Sequence, residues 1–154
     1  MASREEIIRE LARLFKDRGF QGKGAHWSLP FAELRWLVYS ERLPRTTRVG
    51  MYVGVDIGAL GDDPPPKNAN YCAVVLHPDI GGEPFGLEKR DTREALDEAS
   101  RWSDEERTGQ LSAIFNAIAA LATQTSTVAA LRELAAAGRL RAALRRDARA
   151  FLGQ

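Results

Sequence analysis

The chain has 154 residues, a formal net charge of +1, and 44% hydrophobic and 28% charged residues. This length and composition are ordinary for one globular domain, which we place at residues 1–154. No apolar run approaches the roughly 18 residues that span a bilayer, and the N-terminus lacks the apolar core of a secretory signal. Cys72 is the only cysteine, so an internal disulfide is excluded and a reducing, cytoplasmic location is expected.

The N-terminal segment predicts a helix followed by a turn and a short strand. Ser3 and Glu6 have the spacing of a capping box, and Gly19 is placed to end the helix. Residues 21–24 are predicted as a turn and residues 25–28 as a short extended segment. The apolar side chains of the helix fall on one stripe, namely Ile7, Ile8, Leu11, Leu14 and Phe15.

Two alternating segments predict the middle of a sheet. The first covers residues 33–41, and the second covers residues 45–57, with its alternating run at residues 48–57. In the second, one face carries Val49, Met51, Val53, Val55 and Ile57, and the other carries Gly50, Tyr52, Gly54 and Asp56. A period of two indicates a strand with one buried face and one semi-polar face. Glycines inside a strand often mark a place where something approaches the backbone closely.

The rest of the chain changes from strand to helical patterns. Three prolines at residues 64–66 predict an exposed loop, because proline cannot donate to a sheet ladder. Residues 71–77 predict a further central strand, and residues 87–90 a short edge strand. Helical segments then follow from Thr92 to Arg101, after Ser103, after Thr127 and after Gly138.

This order of elements predicts an α+β fold. We expect a four- or five-stranded antiparallel sheet, with an N-terminal helix and a C-terminal helical cluster packed mainly on one of its faces. No repeat or linker divides the sequence, which is why a single domain is expected.

Two segments resemble a bacterial family. They are residues 19–27, Gly-Phe-Gln-Gly-Lys-Gly-Ala-His-Trp, and residues 48–55, Arg-Val-Gly-Met-Tyr-Val-Gly-Val. They are similar to the Gly-Phe turn, the basic-glycine-aromatic strand and a later strand of the "domain of unknown function 4304" family. The order of the predicted elements is similar to that of the family over most of the chain. The resemblance implies a fold, and it identifies no catalytic residue. Small bacterial domains of this kind also resemble the immunity proteins of toxin systems, an analogy at the level of class.

The semi-polar face of the sheet is one candidate site. The predicted strands place on it Arg35, Tyr39, Tyr52, Gly54, Asp56 and His77. Such side chains can line a cleft, and a small-ligand binder or an enzyme would use the part formed by Gly50, Tyr52, Gly54 and Asp56. They can also form cross-strand pairs on a solvated surface, which is the interpretation that we favour.

The acidic segment 83–106 is the other candidate site. It carries nine acidic and four basic side chains, and charges of one sign act on association rate and partner choice. The acids that we place on surface helices are Asp97, Glu98, Asp104, Glu105 and Glu106. The alternative is that these acids only favour helix N-termini through the helix dipole.

Motifs for metal binding and catalysis are missing from the sequence. The soft ligands are His26, His77 and Cys72, and they do not form a zinc-binding spacing. We therefore predict no metal, no cofactor and no catalytic residue. The C-terminal arginines form a basic stretch without aromatic readers, which disfavours nucleic acid as a partner. They are Arg132, Arg139, Arg141, Arg145, Arg146 and Arg149, of which Arg141, Arg145 and Arg149 are predicted to form one helical ridge.

The functional hypothesis is a cytoplasmic module that binds another protein and neutralises a toxin, as immunity proteins do. The alternative is a small-ligand binder or an enzyme that uses the sheet face. The sequence leaves the partner and the oligomeric state open.

Overall fold

The computed structural model describes residues 2–154 and places six strands in one antiparallel sheet beside five α-helices. The strands are β1 (Gln21–Lys23), β2 (His26–Pro30), β3 (Leu34–Arg42), β4 (Val49–Ile57), β5 (Val74–Leu76) and β6 (Ala143–Leu144). The helices are α1 (Arg4–Asp17), α2 (Lys89–Ala95), α3 (Asp104–Gln124), α4 (Val128–Ala136) and α5 (Arg146–Phe151). Neighbours in the sheet follow chain order, so the sheet is a meander. The predicted α+β class is confirmed.

Side-chain caps begin the two main helices where the sequence predicts. The hydroxyl oxygen of Ser3 accepts a hydrogen bond from the backbone N–H of Glu6 at 3.2 Å. The hydroxyl oxygen of Ser103 accepts one from the backbone N–H of Glu106 at 3.1 Å. Each cap satisfies a backbone donor that the first helical turn leaves without a partner.

One face of the sheet packs against these helices to form the core. All five apolar side chains on this face of β4 are at most 1% exposed. Trp36 of β3 is fully buried, and its indole N–H donates to the carbonyl of Thr125 at the end of α3, at 3.0 Å. Phe15 of α1 lies edge-on to Phe115 of α3, with ring centroids 5.1 Å apart. These contacts fix α1 and α3 against the same face.

The sheet has six strands and not the predicted four or five, because β1 and β6 form where no strand was predicted. Residues 21–23 form β1, where we predicted a turn, and Gly22 makes the tight pairing with β2 possible. It has φ +143°, and a Cβ there would lie 2.1 Å from the carbonyl oxygen of His26. β6 lies within a segment predicted as helical, and it pairs with the outer edge of β5. An unpaired edge would leave backbone groups of β5 without partners.

A helix lies within residues 87–101 as predicted, but the predicted edge strand, the helix cap and the helix bounds are wrong. Leu87 forms only a single bridge with Gly82, and α2 begins at Lys89. Glu88 is the N-cap, and its two carboxylate oxygens accept from the backbone N–H groups of Arg90 and Asp91. Thr92 is instead buried inside the helix.

Among residues 2–154, no single helix is both long and apolar enough to cross a membrane. Only α3 and α4 together reach that length and composition, and they are bent by 111° relative to each other.

Candidate functional site

Four side chains on the semi-polar face form a row across the sheet, which we call the aromatic row. The row consists of His26, Tyr39, Tyr52 and His77. Tyr39 stacks on His26 with ring centroids 4.5 Å apart and on Tyr52 with centroids 5.9 Å apart. His77 meets Tyr52 edge-on at 5.2 Å. The antiparallel register aligns the first three residues, so the row follows from strand pairing.

Glu41 joins the two tyrosines of the row. The Tyr52 hydroxyl donates to Glu41 Oε1 at 2.7 Å, and the Tyr39 hydroxyl donates to Glu41 Oε2 at 3.2 Å. The hydrogen bond to Glu41, followed by burial, raises the pKa of Tyr52 to about 12. Burial, followed by the charge of Glu41, also raises the pKa of Tyr39. Both phenols therefore stay neutral and hydrogen-bonded at ordinary pH.

Gly54 does not line an open cleft, because the chain covers it. The 3-10 turn Ala69–Tyr71 and the following Cys72, together called the covering turn, lie over this glycine. A Cβ at Gly54 would be 2.4 Å from the carbonyl oxygen of Ala69 and 2.6 Å from Cys72 Sγ. The strand glycine thus marks a close approach, as predicted, and what approaches is the protein's own backbone.

The covering turn divides the predicted cleft residues into two groups. On one side, Arg35 lies 3.6 Å from Asp56 and also donates to the carbonyl of Pro66. Burial raises the pKa of Asp56, while the nearby Arg35 opposes that shift. Arg35 and Asp56 line an open pocket of about 340 Å³. On the other side lies the aromatic row, so the six predicted residues do not form one site.

Two of the predicted acidic residues are used inside the fold. Glu98 forms an ion pair with Arg4 of α1 at 3.2 Å and also accepts from the backbone N–H of Arg4. Asp97 accepts from the Thr47 hydroxyl and from the backbone N–H of Ala99. These carboxylates connect the segment after α2 to the rest of the protein, and they are half-buried.

The other three predicted acids are exposed together at the start of α3. Asp104, Glu105 and Glu106 form the first turn of the helix, and none of them has an ion-pair partner within residues 2–154. Since the N-terminus of a helix favours negative charge, their position also helps α3 to form.

A groove between α1 and α3 adds two further carboxylates, which the sequence analysis missed. This acidic groove has a volume of about 180 Å³, and Glu6, Glu10 and Asp104 line it together with Ala2, Ile7, Arg107, Thr108 and Leu111. Glu10 pairs with Arg13 on its own helix. Glu6 was interpreted only as part of a cap. Nothing in the linear spacing connects it to Asp104, because the pairing of α1 with α3 creates the groove.

Arg107 is the one positive side chain that lines the acidic groove, and it is held by α2. The residue is 3% exposed, and its Nη1 donates to the carbonyls of Ala95 at 2.7 Å and Asp97 at 3.0 Å. These carbonyls lie at and just beyond the C-terminal end of α2, where backbone carbonyls have no N–H partner within the helix. Arg107 therefore caps α2 through Nη1, while its buried Nε and Nη2 have no hydrogen-bond partner within residues 2–154.

The soft ligands do not come together in a metal site. Within residues 2–154, no three His, Cys, Asp or Glu side chains are placed to hold a metal ion. Cys72 is buried in the covering turn, and burial raises the pKa of its thiol to about 12. A thiol with this pKa is a poor nucleophile at neutral pH.

The predicted basic ridge at the C-terminus does not form. β6 and the short α5 interrupt the segment, so Arg141, Arg145 and Arg149 do not share a helix. Arg145 forms hydrogen-bonded ion pairs with Asp62 and Asp147, and these carboxylates raise its pKa. A four-residue spacing of arginines is typical of a helix. Here residues between them form β6 and pair with β5, and the sequence alone gives no sign of that pairing.

No protein-family model, curated protein or solved structure that was compared with the chain matches it. The resemblance to the "domain of unknown function 4304" family therefore stays a prediction.

Proposed function

We propose that this chain is a protein-binding module that receives a basic surface of its partner in the acidic groove. The class we propose is that of toxin-neutralising immunity proteins, with a cationic toxin domain as the partner. The observation that carries the proposal is the convergence of carboxylates from α1 and α3 on one groove, beside the exposed Glu105 and Glu106.

The lining of the acidic groove suits a long cationic side chain. The methyl groups of the half-buried Ala2 and the exposed Thr108 supply apolar contacts for an aliphatic stem, and Glu6 and Asp104 supply carboxylates for its charged end. The exposed carboxylates beside the groove would attract a basic partner before contact is made and would favour it over acidic proteins. The proposed set of binding residues includes Glu6 and leaves out Asp97 and Glu98, because those two acids bind other segments of the chain, whereas the Glu6 carboxylate accepts from the Ser3 hydroxyl of its own helix cap.

A small-ligand binder or an enzyme on the sheet face draws less support. Gly54 lies under the covering turn, Glu41 occupies both tyrosine hydroxyls, and Arg35 pairs with Asp56. Ligand binding at Gly54 or at the tyrosine hydroxyls would have to disrupt one of these arrangements, which leaves the open pocket beside Arg35 and Asp56 as the place for a ligand on this face.

A capture experiment tests the proposed surface. The wild-type protein would be immobilised beside the double variant Asp104→Lys/Glu105→Lys and the control double variant Glu33→Lys/Glu133→Lys. The control makes the same change in charge at exposed glutamates that do not line the acidic groove and have no ion pair within residues 2–154.

The proposal predicts that a basic protein from a lysate of the source organism is retained by the wild type and the control and lost by the groove variant. It is contradicted if the groove variant and the wild type retain the same proteins in the same amounts. Melting temperatures of all three proteins would show whether folding explains a loss.

A further inference from the structure

A second pocket lies between α2 and the start of β4. It has a volume of about 390 Å³, and it is lined by Arg48, Arg90, Arg93, Glu94 and Asp97. Backbone pairing holds its two sides together, because residues 48 and 97 form a bridge and the N–H of Val49 donates to the carbonyl of Leu96 at 2.8 Å. The pocket shares none of its lining residues with the acidic groove.

The three arginines of this pocket have unpaired guanidinium groups. Within residues 2–154, none of them lies within 4.0 Å of a carboxylate oxygen or donates a side-chain hydrogen bond. Other arginines of the chain do form ion pairs, namely Arg4, Arg13, Arg35, Arg42, Arg139 and Arg145. Three unpaired arginines at one pocket leave donors and positive charge available for an anion.

The nearby carboxylates form their hydrogen bonds with other groups, so their charges offset those of the arginines only in part and leave the guanidinium donors free. Glu94 accepts from the Ser100 hydroxyl at 2.8 Å. Asp97 accepts from Thr47 and from a backbone N–H, and Glu88 uses both oxygens to cap α2. Two carboxylates and three guanidinium groups line the pocket, so its lining carries a net charge of +1.

We propose that this pocket binds the phosphate group of a small soluble molecule, as a phosphate monoester or a diphosphate. A phosphate monoester has three terminal oxygens, which equals the number of guanidinium groups that line the pocket. A carboxylate has only two oxygens to offer. Arginine forks match phosphate geometry, and such charge-assisted hydrogen bonds are among the strong ones. The volume falls within the range of small-molecule sites and exceeds what one phosphate fills.

Titration with inorganic pyrophosphate, followed by calorimetry and by backbone amide NMR shifts, tests the site. The test variant is Arg90→Gln/Arg93→Gln, and the control is Arg146→Gln/Arg149→Gln. The control removes two exposed arginines with the same three-residue spacing on α5, and neither has a carboxylate partner within residues 2–154. All titrations are run at the same ionic strength, set with sodium chloride, so that a change in affinity is not caused by electrostatic screening.

We expect saturable binding with shifts around α2, weakened at least tenfold in the test variant and unchanged in the control. Glu94→Gln should tighten binding severalfold, because its amide oxygen can still accept from Ser100 while the repelling charge is gone. Absence of saturable binding, or equal weakening in test and control variants, overturns the proposal. Binding to vesicles of phosphatidylcholine and phosphatidic acid without binding to pyrophosphate overturns it as well, since the ligand would then be a membrane. Because the acidic groove is elsewhere, a failure here leaves the proposed function unaffected.

Discussion

Replacing Gly54 by alanine tests the account of the semi-polar face most sharply. The new Cβ would lie 2.4 Å from a backbone oxygen of Ala69 and 2.6 Å from Cys72 Sγ, whereas ordinary contacts are 3.4–4 Å. The covering turn must therefore move by about 1 Å, or the strand must distort. Overpacking of this kind costs about 1–3 kcal/mol. For a domain of this size that lowers the melting temperature by roughly 2–10 °C.

Gly50→Ala is the matched control, because Gly50 lies on the same face of the same strand. Its Cβ would approach Leu43 Cδ2 at 2.6 Å and Cγ at 2.8 Å, and this half-buried side chain can rotate away about its Cα–Cβ bond, whereas the backbone over Gly54 cannot. A change within about 1 kcal/mol of the wild type is expected there, because alanine also reduces the entropy of the unfolded chain. Urea and thermal unfolding of both variants provide the comparison. If Gly54→Ala is as stable as Gly50→Ala, the covering turn is not packed on β4 as described.

Three further predictions concern individual side chains. Glu98→Lys should lower the free energy of unfolding by about 1–2 kcal/mol, because it breaks the ion pair with Arg4 of α1. Glu105→Lys should lower it by only a few tenths of a kcal/mol. Chemical denaturation of both variants measures the difference. The raised pKa of Tyr52 means that the folded state favours the neutral phenol, so this stabilisation is complete below about pH 10 and is lost as the pH rises toward about 12. Glu41→Gln should lower that pKa, as measured by phenolate absorbance. Cys72 should react with a thiol reagent much more slowly in the native protein than in denaturant, and equal rates would contradict its burial.

The elements that the sequence predicts well are those with strong local signals. The caps at Ser3 and Ser103 and the alternation of residues 49–57 each depend on residues close together in the chain, and the structure confirms them. β6 and the start of α2 were missed for a different reason. The two-residue strand β6 forms because it pairs with the free edge of β5, which is distant in sequence. The N-cap of α2 is Glu88, whereas the sequence pattern predicted Thr92 as the cap.

The candidate sites depend on tertiary contacts and were therefore predicted only in part. The alternation of β3 and β4 predicts that Tyr39 and Tyr52 share a face, and they do. It cannot predict that the covering turn lies over Gly54 and separates Asp56 from them. In the same way, the acidic composition of residues 83–106 identifies Asp104 but does not show that Glu98 is paired or that Glu6 lies nearby.

The most direct test of the proposed function is the association rate constant of the captured basic partner, measured at low and high salt. The account predicts that the wild-type rate falls steeply as salt increases, because exposed carboxylates steer the partner. Asp104→Lys/Glu105→Lys should slow association at low salt by at least tenfold and flatten the salt dependence, while Glu33→Lys/Glu133→Lys should change the rate much less. An association rate that is independent of salt and equal in the wild type and the groove variant would contradict the claim that the acidic groove receives the partner.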